Sequence, residues 1–241
     1  MLAFCSKVKL YLSSYRLGQT PTAMLDAHAI NNKVAVLQNA HDGWTDPTKR
    51  RAVLERECRD LEALDLAPTE LDLRKFFGRS EDLKQEMEKF AYCWVCGGNS
   101  FVLRRAFHLS GLDRLLWELA RQDDGLIYGG YSAGACVMTP TLEGIHLADD
   151  PESSPVGYTG QVIWKGLDLY PYCIAPHYRS DHPETKLIDQ SVEYFIEKKI
   201  PFVALHDGEA ILFDTITKQN KVLEATATSA VPQLERSATP A

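Results

Sequence analysis

Gly125-Leu-Ile-Tyr-Gly-Gly-Tyr-Ser-Ala-Gly-Ala135 reads as a strand, a tight turn and the first turn of a helix. Its core, Gly130-Tyr-Ser-Ala-Gly134, has the Gly-x-Ser-x-Gly form of a nucleophile elbow. The glycines permit a sharp, strained turn that lifts the Ser132 hydroxyl off the end of a sheet. The backbone amide of Ala133 would then face a reacting carbonyl oxygen, and the helix N-terminus would add partial positive charge. Taken alone, the same run also fits a Gly-rich turn in which serine only caps a helix.

The flanking chain alternates strands and helices. Lys7 to Ser14 alternates polar and apolar residues as a first strand, and its loop contains Gly18 and Pro21. A short helix is expected over 21–29. Lys33-Val-Ala-Val-Leu37 has the compact apolar form of a parallel strand buried on both faces. Thr45 or Asp46 caps a helix that has Pro47 in its first turn and runs to about Leu64. Glu70 to Leu73 is a short strand candidate, and 80–90 reads as a polar helix. Phe90-Ala-Tyr-Cys-Trp-Val-Cys96 is a buried strand stopped by Gly97-Gly98. Asn99 caps a helix that Gly111 breaks, and a second helix covers Leu112 to Arg121. This order predicts an α/β fold: a doubly wound, mostly parallel sheet with helices on both faces.

The C-terminal part is less regular. Strands are expected at Val162-Ile163, Tyr172–Ala175, Phe202–Leu205, Ala210–Phe213 and Val222-Leu223, with a helix from Pro183 to about Lys198. One domain is expected over 1–227, followed by a flexible tail over 228–241, rich in Ala, Ser, Thr and Pro.

The chain has 241 residues, with 26 Lys+Arg against 33 Asp+Glu and a formal net charge of −7. This acidic balance, without a basic cluster beyond Lys49-Arg50-Arg51, argues against nucleic acid as a partner. No apolar run reaches the about 18 residues of a membrane span, and the N-terminus lacks signal-peptide order. Cysteines at 5, 58, 93, 96, 136 and 173 are scattered, as reduced thiols in a cytoplasmic protein would be.

An activated serine needs a base. Histidines stand at 28, 41, 108, 146, 177, 182 and 206. His177 follows the apolar strand before Pro176, and ligands of open α/β sheets bind at carboxyl ends of strands. His206 is its main rival. The acid that orients the histidine could be Asp207, Glu209, Asp149 or Asp150, and spacing does not choose among them. Cys96-Gly-Gly-Asn-Ser-Phe101 suits a second oxyanion donor better than a phosphate cradle. Cys93 and Cys96 have redox-motif spacing but fall in a strand. His177-Tyr-Arg-Ser-Asp-His182 is the nearest approach to metal-ligand spacing and reads as loop chemistry.

Four motifs in this order, with Leu10-Tyr-Leu-Ser-Ser-Tyr-Arg-Leu-Gly18 before them, resemble the peptidase E (aspartyl dipeptidase) family of serine peptidases. They are Cys96-Gly-Gly-Asn-Ser-Phe, Gly130-Tyr-Ser-Ala-Gly-Ala, Ala175-Pro-His-Tyr and Leu205-His-Asp-Gly-Glu, and the resemblance covers about residues 8–225. It implies a fold similar to class I glutamine amidotransferases, with serine replacing their cysteine. It implies Ser132 as nucleophile, His177 as base and Asp207 as third member, one methylene shorter than the family's usual Glu. Asp149 or Asp150 matches a further acidic position, and Gly97 or Gly98 with Ala133 would form the oxyanion hole. Asn99, Arg179 and Lys186 are the implied substrate-binding residues. Lys186 stands nearest the position where aspartate-preferring members carry an arginine, and lysine lacks the bidentate fork. No cofactor and no metal are implied.

The resulting expectation is a cytoplasmic exopeptidase, monomer or homodimer, that cleaves short peptides, Asp-X dipeptides first. The alternatives are a cyanophycinase-like β-aspartyl peptidase, an ester or thioester hydrolase, and a non-catalytic amidotransferase-like protein that binds a small molecule or partner protein.

Overall fold

A computed structural model describes residues 9–27, 29–120, 126–158 and 160–225. Cys5, His28 and the proposed tail over 228–241 lie outside the described residues.

The main sheet has seven strands in the order β3-β2-β4-β5-β1-β8-β9. These are β1 (Lys9–Ser13), β2 (Lys33–Leu37), β3 (Ala67–Glu70), β4 (Tyr92–Val95), β5 (Ile127–Tyr131), β8 (Ala210–Asp214) and β9 (Asn220–Leu223). The first five in spatial order are parallel, and β8 and β9 join antiparallel. The expected mostly parallel α/β sheet is present.

The strands alternate between two cores because successive side chains point to opposite faces. Leu10, Leu12, Ala35, Leu37, Cys93, Val95 and Tyr128 face one core. Tyr11, Val34, Val36, Trp94 and Tyr131 face the other. Helix α1 (Pro47–Glu62) covers the second face through Val53, Leu54 and Leu61. Asp46 caps it, accepting from the Thr48 amide at 2.9 Å. The first face is covered by α2 (Ser80–Met87), α3 (Ser100–Ser110), α4 (Leu112–Leu119) and α5 (Ala133–Cys136). Asn99 caps α3 by accepting from the Phe101 and Val102 amides, both at 2.9 Å. Gly111 ends α3 in the left-handed region at φ 82°.

Two expected strands are corrected. The segment Glu70–Leu73 is shifted: β3 ends at Glu70, and Leu73–Phe76 forms a 3-10 turn. The cause is local, because Asp72 caps that turn by accepting from the Arg74 amide at 3.0 Å. Val162-Ile163 is not a strand. Pairing there reduces to one bridge, Thr141 to Lys165, beside a Leu142 amide to Trp164 carbonyl bond of 2.8 Å. A third adjustment concerns β6 (Cys173–Ala175) and β7 (Phe202–Ala204), which pair with each other in a separate small parallel sheet. They pack with α6 (Thr185–Lys198) through Cys173, Ala175, Ile188, Val192 and Phe195.

One buried carboxylate anchors the second face. Glu57, fully buried, accepts from Trp94 Nε1 at 2.9 Å, from Arg56 Nη2 at 2.7 Å and from the Tyr131 hydroxyl at 3.3 Å. Removing it leaves three polar groups without that acceptor, among them a guanidinium. Glu57→Ala is expected to lower stability by about 3 kcal/mol, read as a lowered midpoint in denaturant unfolding. A loss below about 0.5 kcal/mol would show that water replaces this acceptor without cost.

Candidate active site

The site lies at the carboxyl ends of β1, β4 and β5. Ser132 leaves β5 at φ 49° and ψ −114°, a conformation that non-glycine residues rarely adopt. Its amide donates to the Ser13 carbonyl at 3.3 Å, which ties the turn to the end of β1. The two flanking glycines are required by close packing. A Cβ on Gly130 would lie 2.9 Å from the Gly134 carbonyl, and one on Gly134 would lie 2.4 Å from the Val95 carbonyl oxygen. The short helix α5 can therefore start directly against β4. The bare turn read from sequence as a helix cap is not what forms, since the Ser132 side chain makes no capping bond to α5.

Gly97 sits beside this turn. A Cβ there would meet Ser132 Cβ at 3.1 Å and the Tyr131 ring at 2.8 Å. Gly98 adopts φ 126° and is backed by His41 and Ala40. His41 is stacked on Trp44 at 3.9 Å, and burial, with Arg50 and Arg56 adding to it, lowers its pKa to about 4. It is a neutral wall behind the glycines. The expected oxyanion residues Gly97 and Ala133 thus border Ser132 on two sides.

His177 follows β6 and has φ 58°. It is 1% exposed, and its Nδ1 lies 2.7 Å from Asp207 Oδ1. The same carboxylate oxygen accepts from the Ser14 hydroxyl at 2.8 Å, while the Ser14 oxygen accepts from the His177 amide at 2.7 Å. Ser14 is therefore a clamp between the imidazole's backbone and its acid. The Asp207 amide donates to Ser180 Oγ at 2.7 Å, which fixes the other side of the acid. Burial pushes the Asp207 carboxyl up, but hydrogen bonds and charge from His177, with the Ser14 bond, bring it below the usual carboxylate range. The end of β1 thus supplies both tethers: Ser13, its last residue, holds the turn of Ser132, and Ser14, just beyond it, holds His177 and Asp207.

His182 stacks on His177 with ring centroids 3.7 Å apart and planes 7° apart. Tyr15 meets both rings edge-on, at 5.8 Å and 5.5 Å. Burial, then the nearby His177, lowers the pKa of His182. Among the described residues, one group could hold a metal ion: ligand atoms of His177, His182 and Glu184 lie within 4.8 Å of one another.

The other acids have separate places. Asp149 accepts from the Ser100 amide at the start of α3 at 2.8 Å. Burial raises its pKa to about 7, opposed by the Ser100 bonds and supported by the charge of Glu184. Asp150 is exposed; its carbonyl accepts from Asn99 Nδ2 at 2.9 Å. Glu209 Oε2 accepts from the His206 amide at 2.8 Å and so closes the turn that carries Asp207. His206 itself is exposed and tilts over Tyr178 with ring centroids 5.8 Å apart. Arg179 is exposed, with its guanidinium 4.9 Å over the Tyr178 ring, and Lys186 is exposed in the first turn of α6.

Cys93 on β4 and Cys96 just beyond it pack in different cores, so they form no redox pair. Burial holds both thiols above their usual range, with Cys93 raised beyond ordinary titration.

Asp149 supplies a pH prediction. A carboxyl whose folded pKa is raised favours the folded state fully below its unfolded pKa of 3.8. That contribution is lost as pH rises through about 7. Asp149→Asn removes the loss. The variant is expected to gain about 2–4 kcal/mol relative to wild type between pH 5 and pH 8, measured by urea unfolding at both values. Parallel stability curves for the two proteins would contradict a raised carboxyl at this position.

The α/β sheet thus carries a strained serine turn and a hydrogen-bonded His177–Asp207 pair, both tethered at the end of β1. Residues 46–220 match the family model described as Peptidase family S51. The chain therefore belongs to peptidase family S51, the peptidase E family, and is a peptidase. An uncharacterized peptidase of Listeria innocua is 29% identical over 168 residues, covering 68% of this chain and 76% of that protein. An uncharacterized peptidase of Pasteurella multocida is 23% identical over 137 residues, covering 57% and 62%. Among solved structures, a Listeria monocytogenes EGD-e protein described as a candidate peptidase E superposes with TM-score 0.71 at 21% identity. That match covers 92% of this chain and all, 100%, of the other. A peptidase from an acI-B1 actinobacterium gives TM-score 0.61 at 13% identity, covering 90% and 87%. Among the described residues, no helix is long and apolar enough to cross a membrane.

Sequence reasoning missed Ser14 and Glu57, and it read His182 as loop chemistry without its stacking on His177. Ser14 carried no signal, since a serine pair at a strand end is an ordinary loop start. Glu57 lies in a helix run rich in charge, where a carboxylate normally faces solvent.

Proposed function

We propose that this protein is a serine-type exopeptidase that hydrolyses short peptides, with Asp-X dipeptides as the preferred substrates. Ser132 attacks the scissile carbonyl. His177 takes the hydroxyl proton and returns it to the leaving amine, and water then releases the acyl group by the same route. Asp207 holds the imidazole in the tautomer with Nε2 unprotonated. The amides of Gly97, or Gly98, and Ala133 stabilise the tetrahedral oxyanion. The observation that carries the reading is the 2.7 Å His177–Asp207 contact, clamped by Ser14 just past the strand end that tethers Ser132. Arg179 and Lys186, placed just after the base, supply the positive charge for a substrate carboxylate, with Asn99 shaping the loop between the glycines and α3.

A second reading is favoured by the carboxylates of Asp149 and Glu184, whose charges act on each other near His177. They would suit a substrate carrying a cation, such as a β-aspartyl-arginine unit. Hydrolysis of Asp-X, Glu-X, Leu-X, β-aspartyl-X and β-aspartyl-arginine dipeptides separates the two. Cleavage confined to Asp-X supports the first reading, and cleavage confined to β-aspartyl-arginine replaces it with the second. A folded protein that cleaves none of these would overturn both.

A further inference from the structure

We propose that His177, His182 and Glu184 form an inhibitory site for a borderline divalent cation, zinc being the best fit. The proposal rests on the reading of His177 as the base. It concerns a regulatory ion that blocks the base, and not a cofactor of the reaction.

Three observations on the chain converge. First, the donor set is two imidazoles and one carboxylate, with ligand atoms within 4.8 Å of one another. This nitrogen-and-oxygen set suits zinc and not magnesium, which prefers an all-oxygen octahedron. Second, His177 is already prepared as a ligand. Its Nδ1 is engaged by Asp207 at 2.7 Å, which leaves Nε2 as the nitrogen available to an ion. A carboxylate holding the far nitrogen of a metal-bound histidine is the usual outer-shell support. Third, the other two ligands can adjust while His177 cannot. His177 is 1% exposed, whereas His182 and Glu184 are only half-buried on a loop leading into α6.

The adjustment falls on His182 and Glu184. Tetrahedral zinc with bonds of about 2.0–2.1 Å sets its ligand atoms roughly 3.3 Å apart. Side-chain rotation of His182 and Glu184 closes the remaining gap. The flat stack, with centroids 3.7 Å and planes 7° apart, must open by swinging His182 off His177, because an ion lies in the plane of each ring it binds.

Occupation and catalysis are mutually exclusive. The Nε2 lone pair that would accept the Ser132 proton is donated to the ion instead, so the nucleophile loses its base. No bond in the protein is made or broken, and a chelator reverses the effect.

The test begins with calorimetry, which needs no turnover. Zinc chloride is titrated into the Ser132→Ala protein and into the same protein carrying His182→Gln or Glu184→Gln. Binding of one zinc per chain is expected, weakened at least tenfold in each second variant. The two variants are independent, so misfolding of one, seen by thermal unfolding, leaves the other as the test. Wild-type hydrolysis is then measured with zinc, with magnesium, and with zinc followed by a chelator. Each variant is compared with its own metal-free rate. Zinc alone should inhibit, reversibly, with at least tenfold more zinc needed in the variants. Equal zinc affinity in both variants and parent would overturn the site. Zinc binding that depends on His182 and Glu184 without any peptide hydrolysis by wild type would instead overturn the proposed function and leave the site standing.

Discussion

Ser132→Ala is expected to lower kcat for peptide hydrolysis by about 10⁴- to 10⁶-fold, the range seen when the nucleophile of a triad is removed. The expectation is large because every step of the proposed route passes through the Ser132 oxygen. The hydroxyl forms the acyl bond, and what remains without it is the oxyanion donors acting on a direct water attack. Stability should barely change. The turn is held by the Ser132 amide bonded to the Ser13 carbonyl at 3.3 Å and by the close approach of Gly130 to Gly134, and both survive in alanine. Stopped assays on the best dipeptide, with circular dichroism on the same samples, measure the two quantities together. A variant that keeps more than a tenth of wild-type kcat would remove Ser132 from the chemistry.

Asp207→Asn is expected to cost about 10⁴-fold in kcat with a smaller change in KM. An amide can turn its NH₂ toward His177 Nδ1. The imidazole proton then sits on Nε2, where the base should be free. Ser14 deepens the effect, since its hydroxyl now donates to Oδ1 of a carboxylate at 2.8 Å and would meet a neutral amide. The same variant has a stability signature. The Asp207 carboxyl lies below its usual range in the folded protein, so it favours folding above the unfolded pKa. That contribution is lost as pH falls through the folded pKa. Wild type should therefore lose stability on acidification more steeply than Asp207→Asn in this window. A variant with near-normal kcat would mean that another acid, Glu209 or Asp149, orients the base. The geometry argues against that, because Glu209 bonds the His206 amide and Asp149 bonds the Ser100 amide.

The peptidase class gives both variants a defined readout. It leaves the substrate to the residues after His177. Arg179 and Lys186 are both exposed there, beside the half-buried Glu184. Whether a positive or a negative group faces the substrate is the physical content of the dipeptide panel. The zinc titration reads the same loop by another route.

Much was legible along the chain. Lys33–Leu37 as a two-sided buried strand, Asp46 and Asn99 as helix caps, Gly111 as a helix stop and Gly130 to Gly134 as an elbow all depend on neighbours within a few residues. Local sterics, capping bonds and hydrophobic period act at that range, so the sequence by itself determined the α/β alternation and marked Ser132. The family motifs also singled out His177 and Asp207. Errors came where local pattern was weak: Val162-Ile163 is apolar but has no strand beside it to pair with.

Tertiary structure decided the rest. Ser14 and His177 are 163 positions apart, and only the return of β6 and β7 beside the end of β1 brings them within 2.7 Å. That Asp207 meets His177, while His206 lies exposed, follows in the same way from which groups the loops deliver to one point. Hydrogen bonds act over about 3 Å, and no one-dimensional spacing encodes such a meeting when the partners lie on separate sheets.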